Sequence, residues 1–260
     1  MKIIDTHTHL FLPEFDNDRD EVIQRALENG VGKVILPNVD CQTIESIFAL
    51  SEKYPEICFP AVALHPCSIN KDYLNDLDTI KNHIEKKNVV AIGETGLDFY
   101  WDISFKDEQI DAFEIQINWA KKFNLPLIIH VRNSHDEVIR VLKKNYDESL
   151  SGVFHCFTGR YQQAMEIIDL GFMLGIGGVL TFRNSDLSEV LKRISVEHIV
   201  LETDSPYLAP MPFRGKRNES AYLEYIVSKL SEIYNKEVNW IMLKTTENAE
   251  RLFKGINNKN

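Results

Sequence analysis

Eight short runs of apolar residues recur along this 260-residue chain, and each is followed by a stretch with the apolar spacing of an amphipathic helix. Runs that are apolar at consecutive positions are typical of parallel strands, because such strands are covered on both faces. The predicted strands lie within residues 1–10 and at Lys33–Pro37, Cys58–His65, Val89–Glu94, Pro126–His130, Gly152–His155, Phe172–Gly175 and Ile199–Asp204. Eight strand-then-helix units in this length predict an α/β fold, a closed (β/α)8 TIM barrel that forms a single domain over residues 1–260.

The helical segments are predicted from apolar residues spaced three and four positions apart. They lie at Asp20–Asn29, Thr43–Tyr54, Asp72–Lys87, Phe105–Phe123, His135–Asn145, Tyr161–Leu170, Asp186–Arg193, Tyr222–Tyr234 and Asn239–Phe253. The tail at residues 255–260 is expected to be frayed. An open doubly wound sheet is the alternative architecture, but the glycine-rich fingerprint that such sheets carry after the first strand is missing.

Composition narrows the class of protein. The formal net charge is −10, so a basic nucleic-acid-binding surface over the whole molecule is not expected, although a local site can be positive. The cysteines are scattered without CxxC spacing, which predicts reduced thiols in a cytoplasmic protein. No apolar stretch approaches the length of a membrane span and no signal peptide is recognisable, so no membrane partner is expected. A monomer is compatible with these features.

Side chains that bind metals stand at the carboxyl ends of the predicted strands. His7 and His9 follow the first apolar run two positions apart, so they share one face of that strand. The later strands end at His65, Glu94, His130, His155 and Asp204. In a parallel barrel all these ends open onto one face, where active sites form. Imidazoles and carboxylates without neighbouring thiols predict a catalytic divalent-metal site in preference to a structural zinc site.

Four histidines and two acids exceed the ligands that one ion needs, so we predict two ions a few ångströms apart. The first ion is assigned to His7, His9 and Asp204, the second to His130 and His155, and Glu94 is assigned to both as a bridge. Such a pair activates a water and clamps the attacking and leaving oxygens of a phosphodiester. Asp204 is also expected to accept the proton of the attacking water, so it and Glu94 are the predicted catalytic residues.

Neighbouring residues are assigned supporting roles. Asp5 is expected to orient a histidine ligand, whereas Glu202 is left open between that role and ligation. Arg132, two positions past His130, is expected to hold a phosphate oxygen. The loop at 212–218 gathers Arg214 and two further cations after the last strand, where barrel enzymes often bind phosphate. Arg132, Arg214 and His65 are the predicted substrate-binding residues.

Aromatic residues follow the fourth strand at Phe99, Tyr100 and Trp101. Aromatic rings at the mouth of such a site can stack on a nucleobase. Packing of this loop beneath its own aromatic residues is the alternative interpretation.

Several motifs together resemble the TatD family of metal-dependent deoxyribonucleases, within the amidohydrolase-like barrel hydrolases. The motifs are Ile4-Asp5-Thr6-His7-Thr8-His9, Ile92-Gly93-Glu94-Thr95-Gly96-Leu97-Asp98, His130-Val131-Arg132, Phe154-His155-Cys156-Phe157-Thr158-Gly159 and Glu202-Thr203-Asp204-Ser205-Pro206-Tyr207. The resemblance covers essentially the whole chain and implies a two-metal centre at the six ligands assigned above. It also implies hydrolysis of DNA phosphodiesters at single-stranded or frayed ends, commonly as a 3′-to-5′ exonuclease using Mg²⁺ or Mn²⁺. Histidine-rich ligation is compatible with Zn²⁺ as well.

The chain departs from the family pattern in two places outside the predicted ligands. It has Ala63-Leu64-His65-Pro66 where the family usually has Gly-x-His-Pro, and no proline at or beside Ser220. The same centre would also suit an amide or ester hydrolase, for example a D-aminoacyl-tRNA deacylase. A non-catalytic, metal-stabilised scaffold is the third hypothesis and is disfavoured, because structural metal sites are normally closed.

Overall fold

The computed structural model describes residues 2–257 of the chain. Its eight strands are β1 (Ile3–Asp5), β2 (Val31–Pro37), β3 (Cys58–Ala61), β4 (Ile92–Asp98), β5 (Leu127–Arg132), β6 (Gly152–Phe154), β7 (Phe172–Ile176) and β8 (Ile199–Leu201). All the ladders between them are parallel, in the orders β1-β2-β3 and β4-β5-β6-β7-β8. The predicted (β/α)8 barrel is thereby confirmed.

Short contacts at two places join these ladders into a closed ring. Ala61 at the end of β3 forms a parallel bridge with Ala91, just before β4. On the other side, the backbone N–H of Thr6 donates to the carbonyl of Leu201 at 2.9 Å, and Thr8 forms a parallel bridge with Ser205. The segment after β1 is thus paired with the segment after β8, which brings the first and last predicted ligands to the same place.

Nine α-helices surround the ring within residues 2–257. They are α1 (Arg19–Glu28), α2 (Ile44–Lys53), α3 (Tyr73–Lys86), α4 (Lys106–Phe123), α5 (His135–Lys144), α6 (Tyr161–Asp169), α7 (Leu187–Leu191), α8 (Leu223–Tyr234) and α9 (Val238–Leu252). In α5 the apolar residues at 138, 139, 141 and 142 are all buried, while acids occupy the first turn and lysines the last, as the helix dipole favours. None of the helices described between residues 2 and 257 is long and apolar enough to cross a membrane.

The lower half of the barrel interior is filled with apolar side chains. Ile4, Ile35, Ile128 and Val200 point inward from four strands and form one buried cluster. The end of α9 closes this cluster from below through Phe253, which is fully buried. Burial of apolar surface here is the main stabilising contribution, at roughly 25 cal/mol per Å² removed from water. Only the upper half of the interior is left for polar residues.

The tail differs from the predicted frayed segment at 255–260. Lys254–Asn257 form a turn of 3-10 helix, and Ile256 is 2% exposed. The physical reason is that the Ile256 side chain belongs to the apolar cluster beneath the barrel, so its burial holds the backbone in place. Residues 258–260 of the predicted tail lie outside the described part of the chain.

Strand β4 is longer than predicted, and this changes the position of Glu94. The strand continues to Asp98, which is paired with Arg132 of β5, so Glu94 lies within the strand and not at its end. The two strands approach very closely at Gly96, whose φ is +135° and where a Cβ atom would lie 2.2 Å from the carbonyl oxygen of His130. Only glycine fits there. His65 and Asp204, in contrast, lie a few residues beyond the ends of β3 and β8.

Candidate metal centre

Imidazole and carboxylate groups from both sides of the barrel converge in its upper half. The first cluster consists of His7, His9, Asp204 and the Oε2 side of Glu94. Nε2 of His7 lies 3.2 Å from Nε2 of His9, 3.2 Å from Oε2 of Glu94 and 3.7 Å from Oδ1 of Asp204. Nε2 of His9 lies 3.4 Å from the same Asp204 oxygen. Nitrogen and oxygen donors from the segments after β1 and β8 therefore gather beside one oxygen of Glu94.

The second cluster consists of His130, His155 and the Oε1 side of Glu94. Oε1 lies 2.7 Å from Nδ1 of His130 and 2.8 Å from Nε2 of His155. The two imidazole nitrogens are 3.4 Å apart. The ring of His155 also stacks on that of His7 at a centroid distance of 4.0 Å, so the two clusters are contiguous. Glu94 presents one oxygen to each cluster.

These spacings fit shared divalent ions. Metal–ligand bonds of about 2.0–2.2 Å place donor atoms of one ion about 2.9–3.6 Å apart, depending on the coordination geometry. The donor pairs within the two clusters lie between 2.7 Å, for Nδ1 of His130 and Oε1 of Glu94, and 3.8 Å, for Nε2 of His9 and Oε2 of Glu94. The described salt bridges place no lysine or arginine on Glu94 or Asp204, so the charge of these carboxylates is balanced by imidazoles alone. The donor set suits a binuclear site for nitrogen- and oxygen-binding cations.

Hydrogen bonds on the outer side of two rings fix which nitrogen faces the centre. Nδ1 of His9 lies 3.1 Å from the carbonyl oxygen of Pro37, so Nδ1 carries the proton and Nε2 is free to act as a ligand. In His130 the roles are reversed, because Nε2 lies 2.9 Å from Oδ2 of Asp98 and Nδ1 faces Glu94. Each ring is thus held with a lone pair directed at a cluster.

His65 lies beside the second cluster but offers a proton instead of a lone pair. Its Nε2 is 3.3 Å from both Oε1 of Glu94 and Nδ1 of His130. On the other side of the ring, Nδ1 accepts the backbone N–H of Cys67 at 3.0 Å. In the neutral ring the proton therefore sits on Nε2, which makes His65 a hydrogen-bond donor to an anion at the centre and a poor metal ligand.

The central carboxylates remain ionised although they lie away from water. Burial raises the pKa of Glu94, but the neighbouring imidazoles, His155 foremost, outweigh it and hold that pKa well below its ordinary value. The pKa of Asp204 is also lowered, because burial is outweighed by the combined effect of the neighbouring imidazoles of His9, His155 and His7. Burial lowers the pKa of His7 to about 4, so its ring is neutral at physiological pH. Anionic carboxylates and a neutral imidazole are the forms that bind cations.

Asp98 was not singled out from the sequence, yet it is buried and orients His130. Its Oδ2 accepts from that ring, and its Oδ1 accepts the backbone N–H groups of Tyr100 and Trp101 at 2.9 and 3.1 Å. Asp98 lies four residues after Glu94 on one strand, and residues an even number apart on a strand share a face. That spacing was the available signal.

We expect Asp98→Asn to weaken metal binding at the second cluster by about 10- to 100-fold. The amide can still accept the two backbone N–H groups through its oxygen, but its NH₂ group would face Nε2 of His130. The ring would then have to place its proton on Nδ1, where the ligand lone pair is needed. Titration of the metal-free protein with Mn²⁺ or Zn²⁺ against a chromophoric chelator measures the affinity. Asp102→Asn, an exposed acid on the same loop, is the control, and equal affinities for both variants would contradict the tautomer argument.

Asp5 lies in the position that the sequence suggests but does not contact an imidazole. Its Oδ1 accepts the backbone N–H groups of His7 and Thr203 at 3.3 and 3.0 Å. Its Oδ2 accepts the hydroxyls of Thr203 and Ser220, both at 2.6 Å. Asp5 therefore positions the main chain of His7, one of the predicted ligands, by tying the end of β1 to the segment after β8.

Glu202 is buried next to His155 and lies outside both clusters. Its Oε1 accepts the backbone N–H of Cys156 and is 3.8 Å from Nδ1 of His155, which is too far for a hydrogen bond. Burial raises the pKa of Glu202 to about 8. A Cβ atom at Gly175 would lie 2.1 Å from Oε2, so a glycine is required on β7 for this carboxyl to fit.

The two arginines predicted to bind substrate are both exposed, Arg132 at the end of β5 and Arg214 on the loop after β8. The guanidinium of Arg132 lies 4.0 Å from the ring centre of Tyr100, and that of Arg214 lies 4.2 Å from the ring centre of Phe182. The predicted basic loop at 212–218 carries less free charge than expected, because Arg217 pairs with Asp18 at 2.6 Å. This ion pair could not be predicted from the sequence, because Asp18 and Arg217 are far apart along the chain.

Comparison with known proteins places this chain among relatives of nearly equal length. A family model of TatD-related DNases matches residues 4–254. The chain is 40% identical to the uncharacterized metal-dependent hydrolase YabD of Bacillus subtilis, over 97% of this chain and 99% of that protein. It is 31% identical to the 3′-5′ ssDNA/RNA exonuclease TatD of Pectobacterium carotovorum, again over 97% and 99%. The crystal structure of YjjV, a TatD homologue of Escherichia coli, superposes with a TM-score of 0.92 at 31% identity, over 97% of this chain and 98% of that one.

Proposed function

Because this chain belongs to the TatD family of metal-dependent hydrolases, we propose that it hydrolyses phosphodiester bonds at single-stranded or frayed DNA ends, as a 3′-to-5′ exonuclease. The observation that carries the proposal is Glu94, which presents one carboxylate oxygen to each of two contiguous donor clusters. A centre of this kind suits a reaction in which charge develops on both the attacking and the leaving oxygen. The relative from Pectobacterium carotovorum, a 3′-5′ ssDNA/RNA exonuclease, supports the choice of bond.

The proposed roles follow the two clusters. His7, His9 and Asp204 would hold one divalent ion, His130 and His155 the other, and Glu94 both. The ions, Mg²⁺ or Mn²⁺ with Zn²⁺ as a further candidate, would supply an activated water and neutralise the developing charge. Asp204 would accept the proton of the attacking water through its second carboxylate oxygen. His65 would donate its Nε2 proton to a non-bridging phosphate oxygen.

Unpaired arginines around the open end of the barrel favour an anionic substrate. Four exposed arginines lie at or after the ends of β5, β6, β7 and β8 in turn, namely Arg132, Arg160, Arg183 and Arg214. None of them forms a salt bridge within 4.0 Å among residues 2–257, whereas Arg25 and Arg217 are paired with acids. In a chain with a net charge of −10, unpaired cations on one side of the mouth would draw a polyanion toward the centre.

The proposal is tested with a 5′-end-labelled single-stranded oligonucleotide and each divalent ion in turn. We expect a ladder of products shortening from the 3′ end, abolished by a chelator and restored by Mg²⁺ or Mn²⁺. A duplex with blunt ends should be cleaved more slowly than one with a 3′ overhang. Aminoacyl esters and cyclic amides are the comparison substrates. Hydrolysis of the aminoacyl esters or cyclic amides without cleavage of DNA would overturn the proposed nuclease activity in favour of an amide or ester hydrolase.

A further inference from the structure

An exposed aromatic surface stands beside the second cluster, on the loop that follows β4. Tyr100 is 54% exposed and Trp101 is 68% exposed, which is far above what aromatic residues that pack a loop would show. Their rings are perpendicular with centres 5.0 Å apart. The guanidinium of Arg132 lies in the angle between them, 4.0 Å from the centre of the Tyr100 ring and 4.9 Å from that of Trp101. We call Tyr100, Trp101 and Arg132 the stacking platform.

The platform is rigidly connected to the candidate centre through Asp98. One oxygen of this buried carboxylate accepts the N–H groups of Tyr100 and Trp101, and the other accepts from His130. Arg132 is paired with Asp98 across the β4–β5 ladder and lies two residues after His130 on β5. The same strand pair therefore positions the aromatic rings, the cation and a predicted metal ligand. A group resting on the platform would be held next to the second cluster.

Trp101 is more exposed than Tyr146 and Tyr207, which are 48% and 49% exposed. Phe213 and Tyr222, in contrast, cover one face of each other by stacking at a centroid distance of 4.3 Å. Trp101 lies perpendicular to Tyr100 and remains 68% exposed with Arg132 beside it, so much of the indole is open to solvent. Leaving large apolar rings in water is unfavourable, and adjacent exposed rings such as those of Tyr100 and Trp101 are typical of binding surfaces. Arg132 adds a cation that can contact a phosphate while its plane rests on Tyr100.

We propose that the stacking platform binds the unpaired base next to the scissile phosphate, with Trp101 stacked on the base and Arg132 on the adjoining phosphate. This inference rests on the proposed nuclease function and names the feature that would make the enzyme require single-stranded ends. A base in a duplex is already stacked and paired, so it must leave the helix before it can rest on Trp101. Every base has an aromatic face, so the platform would select for unpaired nucleotides without selecting for sequence.

The test compares binding and turnover of a twelve-residue oligothymidylate and of the same oligomer with an abasic 3′-terminal nucleotide. Binding is measured by fluorescence anisotropy with Mg²⁺ in the Asp204→Asn background, and turnover in the otherwise unchanged enzyme. We expect Trp101→Ala to weaken binding of the intact oligomer about 5- to 100-fold, the effect of losing one stacked base. The loss should appear in KM with kcat little changed, and Trp101→Phe should restore most of it. Tyr146→Ala, an aromatic that is 48% exposed elsewhere, is the matched control and should have no effect.

The abasic oligomer separates stacking from a general weakening of the site. It should bind the parent protein as weakly as the intact oligomer binds Trp101→Ala, and the substitution should then have no further effect. Equal affinity of Trp101→Ala and the parent for the intact oligomer, in an enzyme that does cleave DNA, overturns the platform alone. If Trp101→Ala weakens binding of the abasic oligomer as much as binding of the intact one, the proposed stacking platform is also overturned. Absence of both DNA binding and DNA cleavage, with esters or amides still hydrolysed, overturns the proposed function itself.

Discussion

Glu94→Gln is expected to lower the kcat/KM for single-stranded DNA at least about 1,000-fold, a loss of roughly 4 kcal/mol of transition-state stabilisation. The substitution keeps the size of the side chain but removes the charge that faces both clusters, and it places an NH₂ group against one of them. Affinity for metal should fall at both positions together, because the carboxylate oxygens are divided between them. Steady-state kinetics and metal analysis of the purified variant measure the two effects.

The control for this substitution is Glu14→Gln, the same change at an exposed acid. Its activity and metal content should equal those of the parent. A Glu94→Gln protein that keeps its fold by circular dichroism, its two ions and its activity would show that Glu94 is not the shared ligand. Loss of only one ion would assign Glu94 to a single cluster.

Asp204→Asn is expected to lower kcat by about 1,000-fold even at saturating metal concentration, which is within the range seen when a general base and ligand is removed. Asn is the right replacement because Asp204 has a φ of +56°, a conformation that Asn tolerates better than Ala. Its amide oxygen can still contact an ion, but it cannot accept a proton from water. The loss should therefore lie in the chemical step more than in metal affinity.

Kinetics over a range of Mn²⁺ concentrations distinguish the two contributions to the Asp204→Asn effect. Recovery of activity at high Mn²⁺ would show that Asp204 only helps to bind metal and is not the proton acceptor. Asp102→Asn is again the control, since it makes the same change at an exposed position above the barrel. A thermal unfolding curve like that of the parent would show that the fold is intact.

Much of the candidate centre could be predicted from the sequence because strand periodicity and strand direction are local properties. His7 and His9 were placed on one face by their spacing, and the barrel brings them to Asp204 as expected. The position of Glu94 was less accurate, because β4 continues to Asp98 instead of ending at Glu94. The close approach of β4 and β5 at Gly96 permits that extension. The pattern of apolar residues does not predict this close approach.

The supporting contacts could not be predicted, since they join residues that are far apart in the chain. Asp5 is predicted to orient a histidine ligand, and it contacts His7 through the backbone N–H. The hydroxyls that it also binds belong to Thr203 and Ser220, 198 and 215 positions away. Arg217 was counted with the free cations of its loop, yet it is neutralised by Asp18. Such partners are chosen by the packing of distant elements, about which the sequence near each residue carries no information.

The sequence by itself determined the class of fold, the identity of the donor groups and the strand ends that bring them together. Periodicity was sufficient, because parallel strands that close into a barrel must direct their carboxyl ends to one face. Only the tertiary structure decided which atom of each ring meets the centre. Pro37 and Asp98 hold a proton on the outer nitrogen of His9 and His130, whereas the backbone N–H of Cys67 keeps it on the inner nitrogen of His65. The physical reason is that a histidine presents a lone pair or a proton according to the hydrogen bond on its other nitrogen, and folding alone supplies that partner.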